Sequence, residues 1–312
     1  MTVIFLTGPT ASGKTDLALE IVRRLPCEII SVDSAMVYRG MDIGTAKPDA
    51  ALRRVAPHRL IDICDAAEPY SAARFRADAL HEIAQVQAAG RVPLLVGGTM
   101  LYFRALERGL SAMPAADAEL RARLELEGKE QGWPALHARL ASIDPRAAAR
   151  IHPHDPQRIQ RALEVFELTG CAMSELQDAA RAEPMPFSAV KIHVLPSDRA
   201  ALHRNIEQRF HRMMEQGLLG EVEALHRRGD LDPLMPSLRT VGYRQLWQCV
   251  TGQVALEQAV CAAIAATRQL ARRQLNWLRS ETVPATFAVE TPGLVDNVLK
   301  FIATALRYPT VE

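Results

Sequence analysis

Residues 8–15 read Gly8-Pro9-Thr10-Ala11-Ser12-Gly13-Lys14-Thr15, directly after the apolar run Val3-Ile4-Phe5-Leu6. A Gly-x-x-x-x-Gly-Lys-Ser/Thr stretch between a buried strand and a helix is built to hold phosphate. Its backbone N–H groups wrap a diphosphate, and the helix it opens adds positive potential. Lys14 brings a mobile charge, and the Thr15 hydroxyl suits a phosphate-bound Mg²⁺. The spacing does not specify which phosphate compound binds, or what becomes of it.

Asp33 closes the run Glu28-Ile29-Ile30-Ser31-Val32 and is followed by Ser34. A carboxylate there can cap a turn, hold a Mg²⁺, or serve as a general base facing the phosphate. The residue types alone leave all three open. The segment Met41 to Pro48 is polar, holds a glycine and ends in proline, which predicts a mobile loop at the mouth of the site with Lys47 able to approach a phosphate.

Three basic stretches interrupt an otherwise balanced chain. Residues 146–161 carry Arg146, Arg150, Arg158 and Arg161, with His152 and His154. Residues 199–244 include Arg199, Arg204, Arg209, Arg212, Arg239 and Arg244, and residues 268–279 hold Arg268, Arg272, Arg273 and Arg279 without an acid. One such run is usually a solvated face. Here Gln157, Gln160, Gln269, Gln274, Asn276 and Trp277 interleave with the arginines, and phosphate clamps, amides and an aromatic together fit a single-stranded RNA loop. The histidines show no metal-ligand spacing and read as packing or surface residues.

These groups need a frame. Over the first 110 residues, short apolar runs (3–7, 28–33, 59–63, 92–96) alternate with helical patterns, one of them at 71–89 with Ser71 as N-cap. That alternation predicts an α/β fold: a parallel sheet of the P-loop NTPase type with helices on both faces. Ligands of such sheets lie at the carboxyl ends of the strands, so the phosphate loop, Asp33 and Gly97-Gly98-Thr99 should converge. Residues 111–186 lose the strand pattern and read as an all-helical insertion, broken at Gly132-Trp133-Pro134, Asp144-Pro145, His152-Pro153 and Asp155-Pro156. The sheet resumes at 189–195. Long helices follow over 199–228 and 253–279, with a last strand at 282–287. The expected organisation is a core of 1–110 with 187–312 and an insertion of 111–186.

The chain has 312 residues, 48% of them hydrophobic, and a net charge of +1, so any binding of nucleic acid must use local patches. Its five cysteines form no C-x-x-C pair, which favours reduced thiols and argues against a zinc site. No apolar run reaches about 18 residues, so no membrane span is expected. With a strand at the N-terminus in place of a signal peptide, a cytoplasmic protein is expected.

In its motifs the chain resembles the tRNA dimethylallyltransferases, also called tRNA isopentenyltransferases, of the bacterial type. The matching blocks are Gly8 to Thr15, Asp33-Ser34 with Tyr38 to Pro48, Gly97 to Phe103, Arg150 to Glu164, Val241 to Gln245, and Arg272 to Arg279, in the family's order. The resemblance implies transfer of a dimethylallyl group from dimethylallyl diphosphate to N6 of adenosine 37, beside the anticodon of tRNA. It makes Asp33 the catalytic base. It assigns Gly8, Pro9, Thr10, Ala11, Ser12, Gly13, Lys14, Thr15 and Arg209 to the diphosphate or nucleotide, with Thr15 also on Mg²⁺. It assigns to tRNA Asp33, Ser34, Ala35, Met36, Thr99 and Arg121; Gln157, Arg158, Ile159, Gln160 and Arg161; and Arg239, Thr240, Val241, Gly242, Tyr243 and Arg244. Arg272, Arg273, Gln274, Leu275, Asn276, Trp277, Leu278 and Arg279 complete that set. The insertion corresponds to a domain that swings over the anticodon stem-loop, and a monomer without membrane contact is implied. Met36 stands where many members have glutamine, His154 replaces a common asparagine, and Asn276 a common threonine. Residue chemistry alone also admits a P-loop kinase acting on a small metabolite, or an RNA-binding ATPase without transferase activity.

Overall fold

The apolar run after the N-terminus becomes the centre of a sheet because both of its faces are buried. The computed structural model describes residues 2–111, 113–179, 185–281, 283 and 285–307. In chain order it contains β1 (Thr2–Thr7), α1 (Lys14–Arg24), β2 (Cys27–Val32), α2 (Ala50–Val55), β3 (His58–Arg59), α3 (Ala72–Ala88), β4 (Val92–Gly97) and α4 (Met100–Arg108). The helices α5 (Ala118–Gln131), α6 (Trp133–Ile143), α7 (Pro145–Ala148), α8 (Pro156–Thr169) and α9 (Met173–Ala179) come next. Then follow β5 (Ser188–Leu195), α10 (Arg199–Glu215), α11 (Leu218–Arg227), α12 (Tyr243–Val250), α13 (Leu256–Ser280), β6 (Ala285–Ala288) and α14 (Leu294–Arg307).

All strand pairs are parallel, in the order β3-β2-β4-β1-β5-β6. Along β1 the side chains alternate between two cores, as the strand period of two requires. Val3 and Phe5 join Ile30, Val32 and Leu95 against α3, α4 and the helices α10 to α13. Ile4 and Leu6 join Ile29, Leu94, Ile192 and Val194 against α1 and α14. A strand buried on both faces reads as a continuous apolar run, the pattern from which the parallel sheet is expected.

The chain forms two compact units, Met1–Glu107 with Met185–Glu312, and Arg108–Pro184. The second unit contains only helices among its described residues, packed around Leu120, Leu124, Leu136, Leu140, Ile159 and Leu163. Three of its helices, α6, α7 and α8, carry proline in the first turn: Asp155 caps α8, its carboxylate accepting the Arg158 N–H at 3.1 Å, with Pro156 at N1. Ala112 and residues 180–184 of the expected insertion lie outside the described residues.

Several boundaries differ from expectation. The strand expected at 59–63 is only His58–Arg59, because Leu60 (φ +61°) and Asp62 (φ +59°) turn into the left-handed region, which a ladder cannot accommodate. The helix expected over 199–228 is split into α10 and α11 at Gly217 (φ +99°). Of the last strand expected at 282–287, the structure shows β6 at Ala285–Ala288, while Thr282 and Pro284 lie outside the described residues. The amphipathic α14, which closes one face of the sheet through Val298 and Ile302, was not anticipated.

Candidate active site

Because β4 lies between β1 and β2, the loop after β1 and the residue after β2 are two strand spacings apart, about 10 Å. The loop Gly8–Thr15 leaves β1 and enters α1 at Lys14, with Gly13 at φ +75°, a conformation that costs glycine nothing. Ala11 is also left-handed, at φ +60°. Such alternation turns successive N–H groups toward one centre, the geometry of an anion nest. The Ser12 hydroxyl is buried in this loop with no hydrogen-bond partner among the described residues, a polar atom suited to meet an oxyanion ligand.

Lys14 Nζ donates to Pro9 O at 2.6 Å. Burial pulls its ammonium from the ordinary 10.5 down to about 7, Arg209 adds to the fall, and Asp33 opposes it. Arg209, on α10, is likewise lowered by burial, opposed by Asp33 and reinforced by Arg212. Two cations and one carboxylate therefore act on one another at the end of the sheet, and an added anion would relieve the repulsion between Lys14 and Arg209.

Asp33 also holds its own turn. Its Oδ1 accepts the N–H groups of Ala35 at 2.8 Å and Met36 at 3.2 Å. The turn-capping role and a position facing the phosphate loop thus coexist in one side chain. Ser34 N donates to Thr99 Oγ1 at 3.2 Å, and Thr99 N donates to Val32 O at 3.3 Å, which joins the loop after β4 to Asp33. The convergence expected of the loop, Asp33 and Gly97-Gly98-Thr99 is present. A small cavity is lined by Phe5, Phe103 and Trp277 and also by the charged Glu107, Lys191 and Glu281, and Arg104 sits over the Trp277 ring at 5.6 Å.

The segment Met41 to Pro48 departs from expectation. It is tied down: the Glu221 carboxylate accepts the N–H groups of Asp42 (2.9 Å), Ile43 (2.8 Å) and Gly44 (3.1 Å). Lys47 does not approach the phosphate loop; its Nζ is buried and bonds Tyr38 O, Asp42 and Asp62. Nothing in the local composition pointed to Glu221, since its partners are 177 to 179 residues away.

In the basic stretches of the first unit, Arg239, Arg244, Arg272, Arg273, Asn276 and Arg279 are exposed, Thr240, Val241 and Trp277 are half-buried, and Gly242, Tyr243, Gln274, Leu275 and Leu278 are buried. The alternation follows from helix periodicity: one face of α13 packs on the sheet while the other carries the charges. In the helical unit Gln157 and Arg158 are exposed and Ile159 is buried. There Arg121 Nε and Nη2 and Arg161 Nη1 converge on Glu164 at 2.8, 3.0 and 2.5 Å, and Gln160 donates to Arg121 O at 2.8 Å. Burial pushes the Glu164 carboxyl up, but bonds from Arg121, Arg161 and the Asp117 N–H outweigh it and hold it below the usual range. Sequence reading found the arginines and missed the buried acid that orders them.

Among the described residues no group of three His, Cys, Asp or Glu side chains could hold a metal, so a divalent ion at the loop would rely on Thr15, phosphate oxygens and water. Among the described residues no helix is long and apolar enough to cross a membrane.

Comparison with known proteins supplies the remaining constraint. A profile described as IPP transferase matches residues 36–281. A protein of Thioalkalivibrio sulfidiphilus named tRNA dimethylallyltransferase is 62% identical over 277 residues, covering 89% of this chain and 87% of its own. One of the same name from Alkalilimnicola ehrlichii is 59% identical over 304 residues, with 96% of each covered. The solved full-length tRNA isopentenylpyrophosphate transferase of Bacillus halodurans is 36% identical, with a TM-score of 0.72 over 98% of this chain and 97% of that one. Together with the phosphate loop and its facing carboxylate, this similarity places the chain in the IPP transferase family, as an enzyme of the prenyltransferase class.

Proposed function

We propose that the enzyme transfers a dimethylallyl group from dimethylallyl diphosphate to N6 of adenosine 37 in tRNA, in the cytoplasm and as a monomer. The observation that carries this reading is that the loop Gly8–Thr15 and Asp33 lie at the carboxyl ends of one parallel sheet, joined through Thr10–Gln274–Gly98 and Thr99–Ser34. It supports a reading in which Asp33 is the base and the loop is the cradle for a leaving anion.

An exocyclic adenine amine is a weak nucleophile, its lone pair being delocalised into the ring. In the proposed step a bond forms between N6 and the allylic carbon, the carbon–oxygen bond to diphosphate breaks, and Asp33 takes the N6 proton. Lys14, Arg209 and the loop N–H groups meet the charge that develops on the leaving diphosphate; removing one such preorganised donor costs on the order of 3 kcal/mol. Thr15 would hold Mg²⁺, which supplies further charge on the diphosphate when bound. The adenine must leave its stack to reach this site. Exposed Arg239, Arg244, Arg272, Arg273 and Arg279, with Arg158 and Arg121 of the helical unit, are the proposed phosphate contacts of tRNA, and Thr99 with Ser34 to Met36 lies beside the base.

The test offers the purified protein unmodified tRNA with labelled dimethylallyl diphosphate or with labelled ATP. Label entering tRNA from the prenyl donor is the expected result. Label transferred from ATP alone would make the protein a kinase and end this reading.

A further inference from the structure

Gln274 sits on the inward face of α13, 8% exposed, and its amide bridges Thr10 and Gly98, which lie just beyond the last paired residues of the adjacent strands β1 and β4. Its Oε1 accepts the Thr10 N–H of the phosphate loop at 2.9 Å, and its Nε2 donates to Gly98 O at 2.8 Å. The two partners demand opposite ends of the amide, so only one orientation satisfies both. Gly98 makes room for it: a Cβ there would lie 2.5 Å from Gln274 Nε2.

The path continues from Gly98 to Thr99, whose hydroxyl accepts the Ser34 N–H at 3.2 Å, and Ser34 follows Asp33. A chain of hydrogen bonds and peptide links thus runs from Thr10 through Gln274, Gly98, Thr99 and Ser34 to Asp33. It crosses the carboxyl ends of β1, β4 and β2. Strand pairing fixes the strands but stops at Thr7, Gly97 and Val32, so the segments beyond need another tie. Gln274 is that tie.

Resting on the transferase reading above, we propose that Gln274 is a positioning residue that sets the separation between the leaving-group cradle and the Asp33 base. Its side chain acts inward, on the phosphate loop, and the exposed arginines on either side of it are left to meet RNA. An error of about 1 Å in such a separation costs about a hundredfold in rate.

The test is Gln274→Met, which keeps length and removes both bonds. The expected result is a fall in kcat of about ten- to hundredfold with the Kd for tRNA within about twofold of the parent. Hydrogen exchange of the backbone at Thr10 should accelerate while β1, β4 and β2 stay protected. An unchanged kcat, or lost tRNA affinity with kcat intact, would overturn the proposal. If Gln274→Met does not fold, Gln274→Asn keeps the amide but draws it one methylene short of Thr10 and Gly98, and should show the same pattern to a smaller degree. Should the parent protein transfer no prenyl group, the functional reading fails, while exchange at Thr10 still reports whether Gln274 holds the loop.

Discussion

Tyr243 donates its hydroxyl to Glu221 Oε1 at 2.5 Å, and the same carboxylate accepts three consecutive backbone N–H groups from Asp42, Ile43 and Gly44. One acid on α11 therefore joins the segment after β2 to the start of α12, where Arg244 is exposed. Hydrogen bonds to a charged acceptor are worth about 1.5–3 kcal/mol each, and an N–H left without its acceptor costs more than the bond contributed. Glu221→Gln turns an amide donor toward donors and should lower stability by about 2–4 kcal/mol. Limited proteolysis should then cut within 41–48, and a melting temperature equal to the parent's would show that the latch carries no weight.

Arg161 illustrates why an arginine proposed to contact RNA cannot be read from charge alone. It donates to Glu164, which has no exposed side-chain surface, and to Pro114 O at 2.8 Å. Arg161→Ala should weaken tRNA binding and reduce the slope of log K against log salt by about one, as expected when one phosphate contact is lost. It should also destabilise the helical unit by about 1–3 kcal/mol, because Glu164 keeps only Arg121 and the Asp117 N–H. A salt slope that does not move would confine Arg161 to its structural bonds.

Much of this arrangement was legible in the sequence. The strand–loop–helix at 3–24 announces itself because its signals are local: an apolar run, glycines, and Lys14 followed by Thr15. The parallel sheet follows from runs too apolar for a strand with one wet face. What the sequence hid depends on distant pairs. Gln274 reads as one more polar residue among arginines until its partners, Thr10 and Gly98, are found 264 and 176 positions away. The segment 41–48 looks mobile because its acceptor, Glu221, comes from another helix. Strand β3 is shorter than its apolar run because Leu60 and Asp62 adopt left-handed backbone, a choice that Lys47 and Arg53 favour by bonding Asp62.

The lowered pKa of Lys14 has a direct chemical signature. With its pKa lowered to about 7, the Lys14 amine should react with acetic anhydride in the free protein with a pH midpoint of about 7, well below the ordinary 10.5. A diphosphate in the loop favours the charged form and raises that pKa. Binding therefore takes up a proton above about pH 7, and donor affinity should fall as pH rises through and beyond that value. Pyrophosphate with Mg²⁺ should slow the labelling and move its midpoint upward. A midpoint near the ordinary 10.5 in the free protein would mean that burial and Arg209 do not act on this amine as described.

Asp33 offers the sharpest separation between structure and chemistry, provided the substitution respects its second task. Asp33→Ala deletes both the proposed base and the acceptor for the Ala35 and Met36 N–H groups, so a loss of rate there has two causes. Asp33→Asn keeps an oxygen where Oδ1 stands, preserving the turn and the approach of Ser34 to Thr99, and removes only the capacity to take a proton. Its turnover should fall by about 10²-fold or more, the range expected for a general base, while tRNA affinity and thermal stability change little. The alanine variant should be at least as slow and measurably less stable. If the asparagine variant keeps most of its turnover, Asp33 serves the turn alone and the N6 proton leaves by another route; if it loses tRNA binding at unchanged turnover, the carboxylate belongs to recognition.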